Sequence, residues 1–215
     1  NSYDEAIESY KKAAEINPNL TFLYISIGVN YRELKKLDLA LDYFAKAVKI
    51  NEQNDIKDPI PYLAIANTYI NKGEGLVASR NVMRAVEFTP GNANVYAQLG
   101  LVYFKARNYE GSIPAFACAI DGCSALESCI VRQDCTAETD PNTVPPYAIE
   151  GLPLTSNTVV YYFTYGSVLS AMHRKGDNLC NEAERIFAMV KKDYSDDEGI
   201  MNIVKAGEQI CENNP

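Results

Sequence analysis

The sequence predicts an all-α fold in which helical hairpins stack on one another. Two observations predict it: the sequence repeats with a period of 34 residues, and each copy carries small and aromatic residues at helical spacing. The segments 6–18 and 40–52 align residue by residue at this period. The same positions recur at Ala78, Val82, Ala85 and Pro90, and then at Ser112, Phe116 and Ala119. These segments are predicted to be the second helix of each hairpin, and Pro18 and Pro90 follow that helix because proline cannot continue it.

The preceding half of each copy is predicted to be the first helix of the hairpin. It is marked by three matching sets: Tyr24, Ile27, Gly28 and Tyr31; Tyr62, Ile65, Ala66 and Tyr69; and Tyr96, Leu99, Gly100 and Tyr103. We expect the small residues Gly28, Ala66 and Gly100 to let two helices approach closely, and the aromatic residues three or four positions away to fill the space. One copy follows its predecessor by 38 residues, because Asp55–Asp58 lengthen the turn before Pro59.

This alternation of small and aromatic residues resembles the tetratricopeptide repeat (TPR) family. Tyrosine stands where many family members have tryptophan, and Glu52 stands in place of a closing proline. The resemblance implies a right-handed α–α superhelix, a TPR-like solenoid. It assigns residues 1–121 to TPR-like repeats: a half repeat at 3–17 and repeats at 21–54, 59–92 and 93–122. We then expect a Cys- and Pro-rich insertion without sustained helical period at 122–158, and a degenerate TPR-like hairpin with a capping helix at 159–215.

The six cysteines predict disulfide bonds in an oxidising compartment. Four of them lie within eighteen positions around a Pro-rich segment and two lie further along: Cys118, Cys123, Cys129, Cys135, Cys180 and Cys211. Unpaired thiols and a zinc site are the alternatives. The cysteine spacings lack the paired two-residue spacing that is typical of zinc sites, and the single histidine lies far away in the sequence. We therefore favour disulfides that tie the insertion down.

The C-terminal helices predict one of the cysteine pairings. If helices at 179–193 and 197–211 form an antiparallel hairpin, Cys180 at the start of one lies level with Cys211 at the end of the other. We therefore predict a bond between Cys180 and Cys211, whereas the pairing among the other four cysteines stays open. Ser195 and Glu198 are expected to form a capping box at the start of the last helix.

The charge balance argues against a nucleic-acid partner. The chain has 20 Lys and Arg against 28 Asp and Glu, a net charge of -8 and no basic run. No stretch of about 18 apolar residues occurs, so we expect no membrane span in this fragment. The first residues have no signal-peptide pattern, so any targeting signal is expected to lie upstream. Together with the disulfides, this predicts an extracytoplasmic location (periplasmic, cell-surface or secreted) as part of a larger protein.

The residues that carry chemistry do not form a catalytic motif in the sequence. His173 stands alone at the end of a predicted helix, where the helix dipole favours a cation. The acidic residues of 193–198 lack the spacing of a calcium loop, and Gly73–Gly75 is not followed by the lysine of a phosphate-binding loop. We therefore expect no enzyme activity, no metal site and no cofactor.

The resemblance implies a binding groove, because the first helices of successive tetratricopeptide repeats line a concave surface that takes up an extended peptide or a helix. It places these residues in the groove: Phe22, Ile25, Val29, Arg32 and Glu33; Ile60, Leu63, Asn67, Ile70 and Asn71; and Asn94, Ala97, Leu101, Phe104 and Lys105. Family members that hold a C-terminal carboxylate use Lys, Arg and Asn side chains, whereas Ile25 and Val29 stand at two of those places. The row predicts an apolar peptide or helix as the ligand of a non-catalytic protein–protein interaction scaffold or adaptor.

Two alternatives to an open groove follow from the same sequence. The apolar segments 144–149 and 152–154 of the insertion could cover the groove, which would make the chain an accessory structural domain of an upstream enzyme or membrane-anchored protein. The chain also begins at a second helix, so the face of residues 3–16 that a preceding helix would cover is expected to be exposed. That truncated edge predicts a possible homodimer.

Overall fold

A computed structural model describes residues 2–213 of the chain. Within this range it contains eleven α helices, one short 3₁₀ helix and an isolated antiparallel bridge between Cys123 and Ile149. The predicted all-α fold is confirmed. The chain divides into two compact units, 1–89 and 90–215.

The first unit consists of five helices joined by short turns. They are α1 (Ser2–Ile16), α2 (Thr21–Glu33), α3 (Leu37–Gln53), α4 (Ile60–Lys72) and α5 (Gly75–Phe88). Each helix packs against the next one in sequence, which is the arrangement expected of helical hairpins with short connections. Its core contains one cluster of buried residues: Ile7, Ile27, Tyr31, Ala40, Phe44 and Ala64.

The extra residues of the second repeat form a capped turn between α3 and α4. Asp55 adopts the left-handed conformation with φ 54°, which Asp tolerates better than most residues. The Asp58 carboxylate accepts a hydrogen bond from the Ile60 N–H at 2.9 Å. This bond satisfies one of the N–H groups that the start of α4 leaves without an intrahelical partner.

The second unit surrounds one apolar helix with four others. Its helices are α6 (Ala93–Lys105), α7 (Tyr109–Ile120), α8 (Ala125–Val131), α9 (Val159–Met172), α10 (Leu179–Tyr194) and α11 (Glu198–Asn213), with the 3₁₀ helix at Pro141–Thr143. Helix α9 packs against α6, α7, α10 and α11. This burial on several sides explains why α9 is apolar around its whole circumference, with Tyr162, Tyr165 and Leu169 almost fully buried.

The aromatic residues that fill the space beside the small residues come from the partner helix of each hairpin. A Cβ built on Gly28 would lie 2.5 Å from the Phe44 ring, and one built on Gly100 would lie 2.8 Å from the Phe116 ring. The expectation that the tyrosines three or four positions away fill this space was therefore wrong. Each of these tyrosines belongs to the same helix as its glycine, whereas the ring that packs on the glycine comes from the opposite helix of the hairpin.

The insertion contains a helix that the sequence reading did not predict. Helix α8 begins with a capping box: the Ser124 hydroxyl accepts a hydrogen bond from the Glu127 N–H, and the Glu127 carboxylate accepts one from the Ser124 N–H at 2.8 Å. The returning segment then pairs with the end of α7, where the Leu152 N–H donates to the Ala119 carbonyl at 2.8 Å. Gly151 is required in this segment, because a Cβ there would lie 2.3 Å from the Ile120 carbonyl oxygen.

The structure brings the six cysteines together as three pairs. Cys118 meets Cys123, Cys129 meets Cys135, and Cys180 meets Cys211, with Cα–Cα distances of 4.7, 5.4 and 5.5 Å. These distances lie in the range that a disulfide needs. The pairing of Cys180 with Cys211 is the one predicted from the helical hairpin. Each of the other two pairs joins one cysteine to the next cysteine along the chain.

Asp197 caps the last helix in place of Ser195. The Asp197 carboxylate accepts a hydrogen bond from the Ile200 N–H at 3.0 Å, and α11 begins at Glu198. The predicted capping box between Ser195 and Glu198 was wrong by two positions. Both Ser and Asp accept N-terminal hydrogen bonds well, so the pattern Ser-Asp-Asp-Glu contained several possible caps.

Candidate functional site

In the first unit, α2 and α4 present a row of apolar side chains that remain open to solvent. Phe22 on α2 is 59% exposed and Ile60 on α4 is 54% exposed. Ile25 and Val29 are half-buried and pack against the core of the unit. Leu63 and Ile70 continue the row on α4 and are also half-buried. The row thus combines a fixed apolar base with two exposed side chains, and we call these residues of α2 and α4 the α2/α4 row.

The Phe22 ring is held in place by an aromatic neighbour. Its centroid lies 6.1 Å from that of Tyr10 on α1, with the rings nearly perpendicular. Edge-to-face contacts of this kind are a favoured arrangement of aromatic rings. Phe22 is therefore exposed but already oriented, so it would lose less side-chain conformational entropy when a ligand binds.

Polar residues border the α2/α4 row. Asn67 is half-buried and Asn71 exposed on α4, and their side-chain amides carry both donors and acceptors for a peptide backbone. On α2, Arg32 Nε lies 3.8 Å from the Glu33 carboxylate, so its charge is partly balanced within the helix. The sequence-predicted residues of α2 and α4 therefore lie on two neighbouring helices of one unit.

In the second unit, α6 keeps only part of its predicted row accessible. Leu101 and Phe104 are half-buried and Lys105 is exposed, but Ala97 is fully buried. Ala97 therefore has no solvent-exposed surface to offer a partner, unlike the other predicted residues of this helix. Helix α9 packs on α6 and explains this burial. At the start of α6, the Tyr161 hydroxyl of α9 lies 3.3 Å from Asn94 Oδ1.

A cavity between α9 and α11 was missed by the sequence analysis. Its volume is about 350 Å³, and it is lined by Ser167, Ser170, Asn202, Ile203, Ala206, Gly207 and Ile210. A sequence signal existed, because Ser167 and Ser170 follow Gly166 by one and four positions, as Leu101 and Phe104 follow Gly100. The small serines leave open the space that the larger side chains fill on α6.

The two apolar segments of the insertion are tied to α7 and α8. The Tyr147 carbonyl accepts a hydrogen bond from the Ser128 hydroxyl at 2.5 Å, and Ile149 forms the bridge with Cys123. The Leu152 carbonyl accepts one from the Tyr162 hydroxyl at 2.6 Å. These bonds place residues 144–149 and 152–154 beside the C-terminal end of α7, where they fix the path of the insertion.

The single histidine takes part in a hydrogen-bonded turn before α10. His173 Nδ1 lies 2.5 Å from Asp177 Oδ1, and the same carboxylate accepts the Arg174 and Leu179 N–H groups. Desolvation opposes the ionised form, but these hydrogen bonds outweigh it and hold the pKa of Asp177 below its usual value. Among residues 2–213, His, Cys, Asp and Glu form no group that could hold a metal ion.

None of the described helices is both long and apolar enough to cross a bilayer. The negative charge is concentrated in the second unit, which has nine Lys and Arg against sixteen Asp and Glu. This unit therefore carries a net negative charge.

Comparisons with known sequences match the repeats of the first unit. Residues 1–20 and 23–54 match a family model described as tetratricopeptide repeat. The BBSome complex member BBS4 of Bos taurus is 30% identical over 105 residues, which cover 49% of this chain and 19% of that protein. Cell division cycle protein 27 homolog A of Arabidopsis thaliana is 28% identical over 107 residues, which cover 50% of this chain and 14% of that protein. The chain thus spans less than one fifth of the length of these two relatives.

Solved structures share the fold over most of the chain. The crystal structure of YrrB, described as a TPR protein with an unusual peptide-binding site, has a TM-score of 0.60 at 17% identity and covers 96% of this chain and 86% of its own. The APC/C hetero-tetramer Cut9–Hcn1 has a TM-score of 0.63 at 12% identity, with coverage of 98% and 34%. MamA has a TM-score of 0.54 at 18% identity, with coverage of 90% and 86%.

The repeated hairpins and their small-to-aromatic contacts define a helical-repeat protein with a TPR solenoid fold. Within that class, residues 1–20 and 23–54 match the tetratricopeptide repeat family model, which confirms the repeats that the sequence predicts there.

Proposed function

We propose that the chain is a non-catalytic scaffold or adaptor domain that holds an apolar peptide or helix of a partner protein against the α2/α4 row. The observation that carries this proposal is the exposure of Phe22 and Ile60, which are 59% and 54% open to solvent at equivalent positions of neighbouring hairpins. Exposed aromatic and branched side chains on neighbouring helices are typical of interaction surfaces.

The chemistry of the row favours an apolar ligand over a carboxylate. Ile25, Val29 and Leu63 offer no donor to an anion, and Arg32 is already near Glu33. Asn67 and Asn71 can hydrogen-bond to the backbone of a bound segment. The row therefore combines apolar anchors with backbone recognition, which suits an extended peptide or one face of an amphipathic helix.

An open groove is supported over a self-covered one. The insertion segments that were candidates to cover the groove make their hydrogen bonds to α8, α7 and α9. The peptide-binding site named for YrrB belongs to that protein, and it gives a precedent within the same fold for the site proposed here.

We also propose that the domain works in an extracytoplasmic compartment as part of a larger protein. The three cysteine pairs support this location, because disulfides persist in oxidising compartments and are rare in the cytosol of most organisms. The partner would then be a secreted, periplasmic or surface protein.

Selection of peptides from a random displayed library, followed by calorimetric measurement of affinity, tests the proposed ligand. We expect the enriched peptides to carry aliphatic or aromatic residues, and Phe22→Ser and Ile60→Ser each to weaken binding by about tenfold or more. Leu39→Ser and Leu76→Ser are matched controls, since these leucines are 42% and 67% exposed on the second helices α3 and α5. Equal weakening by the control variants, or enrichment of mainly charged peptides, would contradict the proposal.

A further inference from the structure

The outer face of α7 is unusually apolar for the second helix of a hairpin. Between Tyr109 and Ile120 the only charged residue is Glu110. The corresponding helices α3 and α5 carry several charged residues each. Part of this apolar face is covered by α8, and the rest borders a cavity between the two helices.

The cavity has a volume of about 200 Å³ and a mainly apolar lining. It is lined by Pro114, Ala117, Cys118, Asp121, Gly122, Cys123, Glu127, Ile130 and Val131. An apolar cavity of about 150 Å³ is enough for a benzene-sized group. The cavity between α7 and α8 can therefore accept one aliphatic or aromatic side chain without rearrangement.

The cavity opens at the protein surface. Ile130 on α8 is 38% exposed and Pro114 on α7 is exposed, although both are apolar. Helix α8 is fixed at its start by the capping box and by the contact of Cys118 with Cys123. The opening is therefore already formed before binding, so a bound ligand would cost the insertion little conformational entropy.

Two carboxylates stand at this opening, and one of them has a free oxygen. Asp121 accepts a hydrogen bond from Arg185 Nη2 at 2.7 Å, and because Arg185 also pairs with Glu182, the charge of Asp121 is partly balanced. Both hydrogen bonds that Glu127 accepts from Ser124 go to Oε2. Across residues 2–213 the structure records no hydrogen bond to Glu127 Oε1, which remains available to a cation. Hydrogen bonding from the Ser124 hydroxyl and N–H lowers the pKa of Glu127, so the group is ionised at neutral pH.

We propose that the cavity between α7 and α8 is a second docking site, which takes an aliphatic side chain of a partner polypeptide that carries Lys or Arg beside it. The apolar lining receives the aliphatic group and Glu127 Oε1 receives the cation. The excess of acidic residues in the second unit favours the same partner. This site is separate from the α2/α4 row, so either site can fail without the other.

Three synthetic pentapeptides probe this site on the full chain by ¹H–¹⁵N NMR titration. They are acetyl-Gly-Lys-Leu-Lys-Gly-amide, its Lys-Ser-Lys analogue and its Glu-Leu-Glu analogue. We expect the Lys-Leu-Lys peptide to cause saturable shifts at the amides of Ala117, Gly122 and Ile130 with a millimolar dissociation constant, and the other two to bind at least about tenfold more weakly.

Two pairs of variants separate the apolar and the charged contributions. Ala117→Phe fills the cavity and should abolish the saturable shifts, whereas Ala45→Phe, on the exposed face of α3, should leave them unchanged. Glu127→Gln keeps an acceptor for the Ser124 groups and should weaken binding by about threefold to tenfold, whereas Glu150→Gln should not. If Ala117→Phe fails to fold, Ile130→Ser at the exposed rim provides the same test of the apolar contribution.

Three results would overturn the proposal. The first is the absence of saturable shifts at these amides up to about 10 mM peptide. The second is binding of the Glu-Leu-Glu peptide as tight as that of the Lys-Leu-Lys peptide. The third is a set of shifts centred on Ser167 and Asn202, which would place the ligand in the cavity between α9 and α11.

Discussion

The ring of Phe44 lies directly against the Cα of Gly28, so that a Cβ built on Gly28 would come within 2.5 Å of the ring. The same relationship holds between Gly100 and Phe116. In both hairpins the glycine belongs to the first helix and the phenylalanine to the second, sixteen positions later. This contact sets how closely the two helices of a hairpin approach, and it explains why the repeat alternates small and aromatic residues.

Replacing Gly28 by alanine should destabilise the protein. The added methyl group needs the space that the Phe44 ring occupies, and both residues are buried, so we expect a loss of about 1–3 kcal/mol in the free energy of unfolding. Denaturant titration followed by circular dichroism measures the loss.

The double variant Gly28→Ala with Phe44→Leu provides the control for this prediction. Because the smaller leucine makes room for the methyl group, the two losses should not add, and we expect a coupling of about 0.5–3 kcal/mol. Gly91→Ala should have little effect, since nothing lies within 4 Å of a Cβ at that position. Simple additivity in the double variant would show that the two residues do not share this space.

The unfolded, unreduced chain should contain no free thiols. The structure pairs all six cysteines, and none of them is left free. Thiol titration in denaturant gives the count, and proteolytic mapping without reductant should recover a peptide that joins Cys180 to Cys211. Six free thiols would contradict the extracytoplasmic location proposed for the domain.

Arg132 should stabilise the packing of the insertion against the rest of the second unit. It is only 7% exposed. Its Nη1 donates to the Tyr96 hydroxyl at 3.2 Å and to the Ser128 hydroxyl at 3.1 Å, and its Nε donates to the Asp134 carboxylate at 3.1 Å. The guanidinium also lies 5.6 Å from the centroid of the Tyr147 ring. Arg132→Met should cost about 1–3 kcal/mol, because it removes these bonds and leaves buried hydroxyls with fewer partners.

Hydrogen exchange locates the effect of Arg132→Met. The amide of Ile149, which donates to the Cys123 carbonyl at 2.8 Å, should exchange faster in this variant. Arg80→Met replaces an exposed arginine of α5 and should leave that amide unchanged. Unaltered protection of Ile149 in Arg132→Met would show that the insertion is held without the arginine.

The stabilisation that ionised Glu127 gives to the start of α8 should be lost in acid. Hydrogen bonds from the Ser124 hydroxyl and N–H lower the pKa of Glu127 in the folded protein. The stabilisation is therefore fully present above the ordinary glutamate pKa of about 4.3, and it is lost as the pH falls through the lower pKa of the folded state. Amide chemical shifts of residues 125–131, recorded across this range, should report the loss. In Glu127→Gln this pH dependence should disappear, whereas Glu150→Gln should retain it.

The sequence predicted the hairpins because their packing rules are local and repeated. The 34-residue period, Gly28 and Gly100, and the helix-closing prolines all depend on short-range geometry. The pair Cys180 and Cys211 was predictable for the same reason, since it needs only two helices of known length. The aromatic residue that packs on each small residue could not be predicted. The choice between a tyrosine on the same helix and a phenylalanine on the next depends on which faces of the two helices pack together.

The insertion and the far end of the second unit were harder to predict. Helix α8 has only seven residues, too short for a periodic signal, although Ser124 and Glu127 carry the pattern of a capping box. The burial of Ala97 depends on α9, which packs on α6 but follows α7 only after 38 intervening residues. Contacts between segments so far apart in sequence have no local signature.

Methyl-resolved NMR of the chain with a peptide selected from the library tests the proposed groove most directly. With isoleucine, leucine and valine methyl groups labelled, we expect the peptide to shift the methyl signals of Ile25, Val29, Leu63 and Ile70. The methyl signals of Leu39 and Leu76 should stay in place, because these leucines lie on α3 and α5. Shifts confined to Leu39 and Leu76, with the α2/α4 row unchanged, would show that the peptide does not bind in the proposed groove.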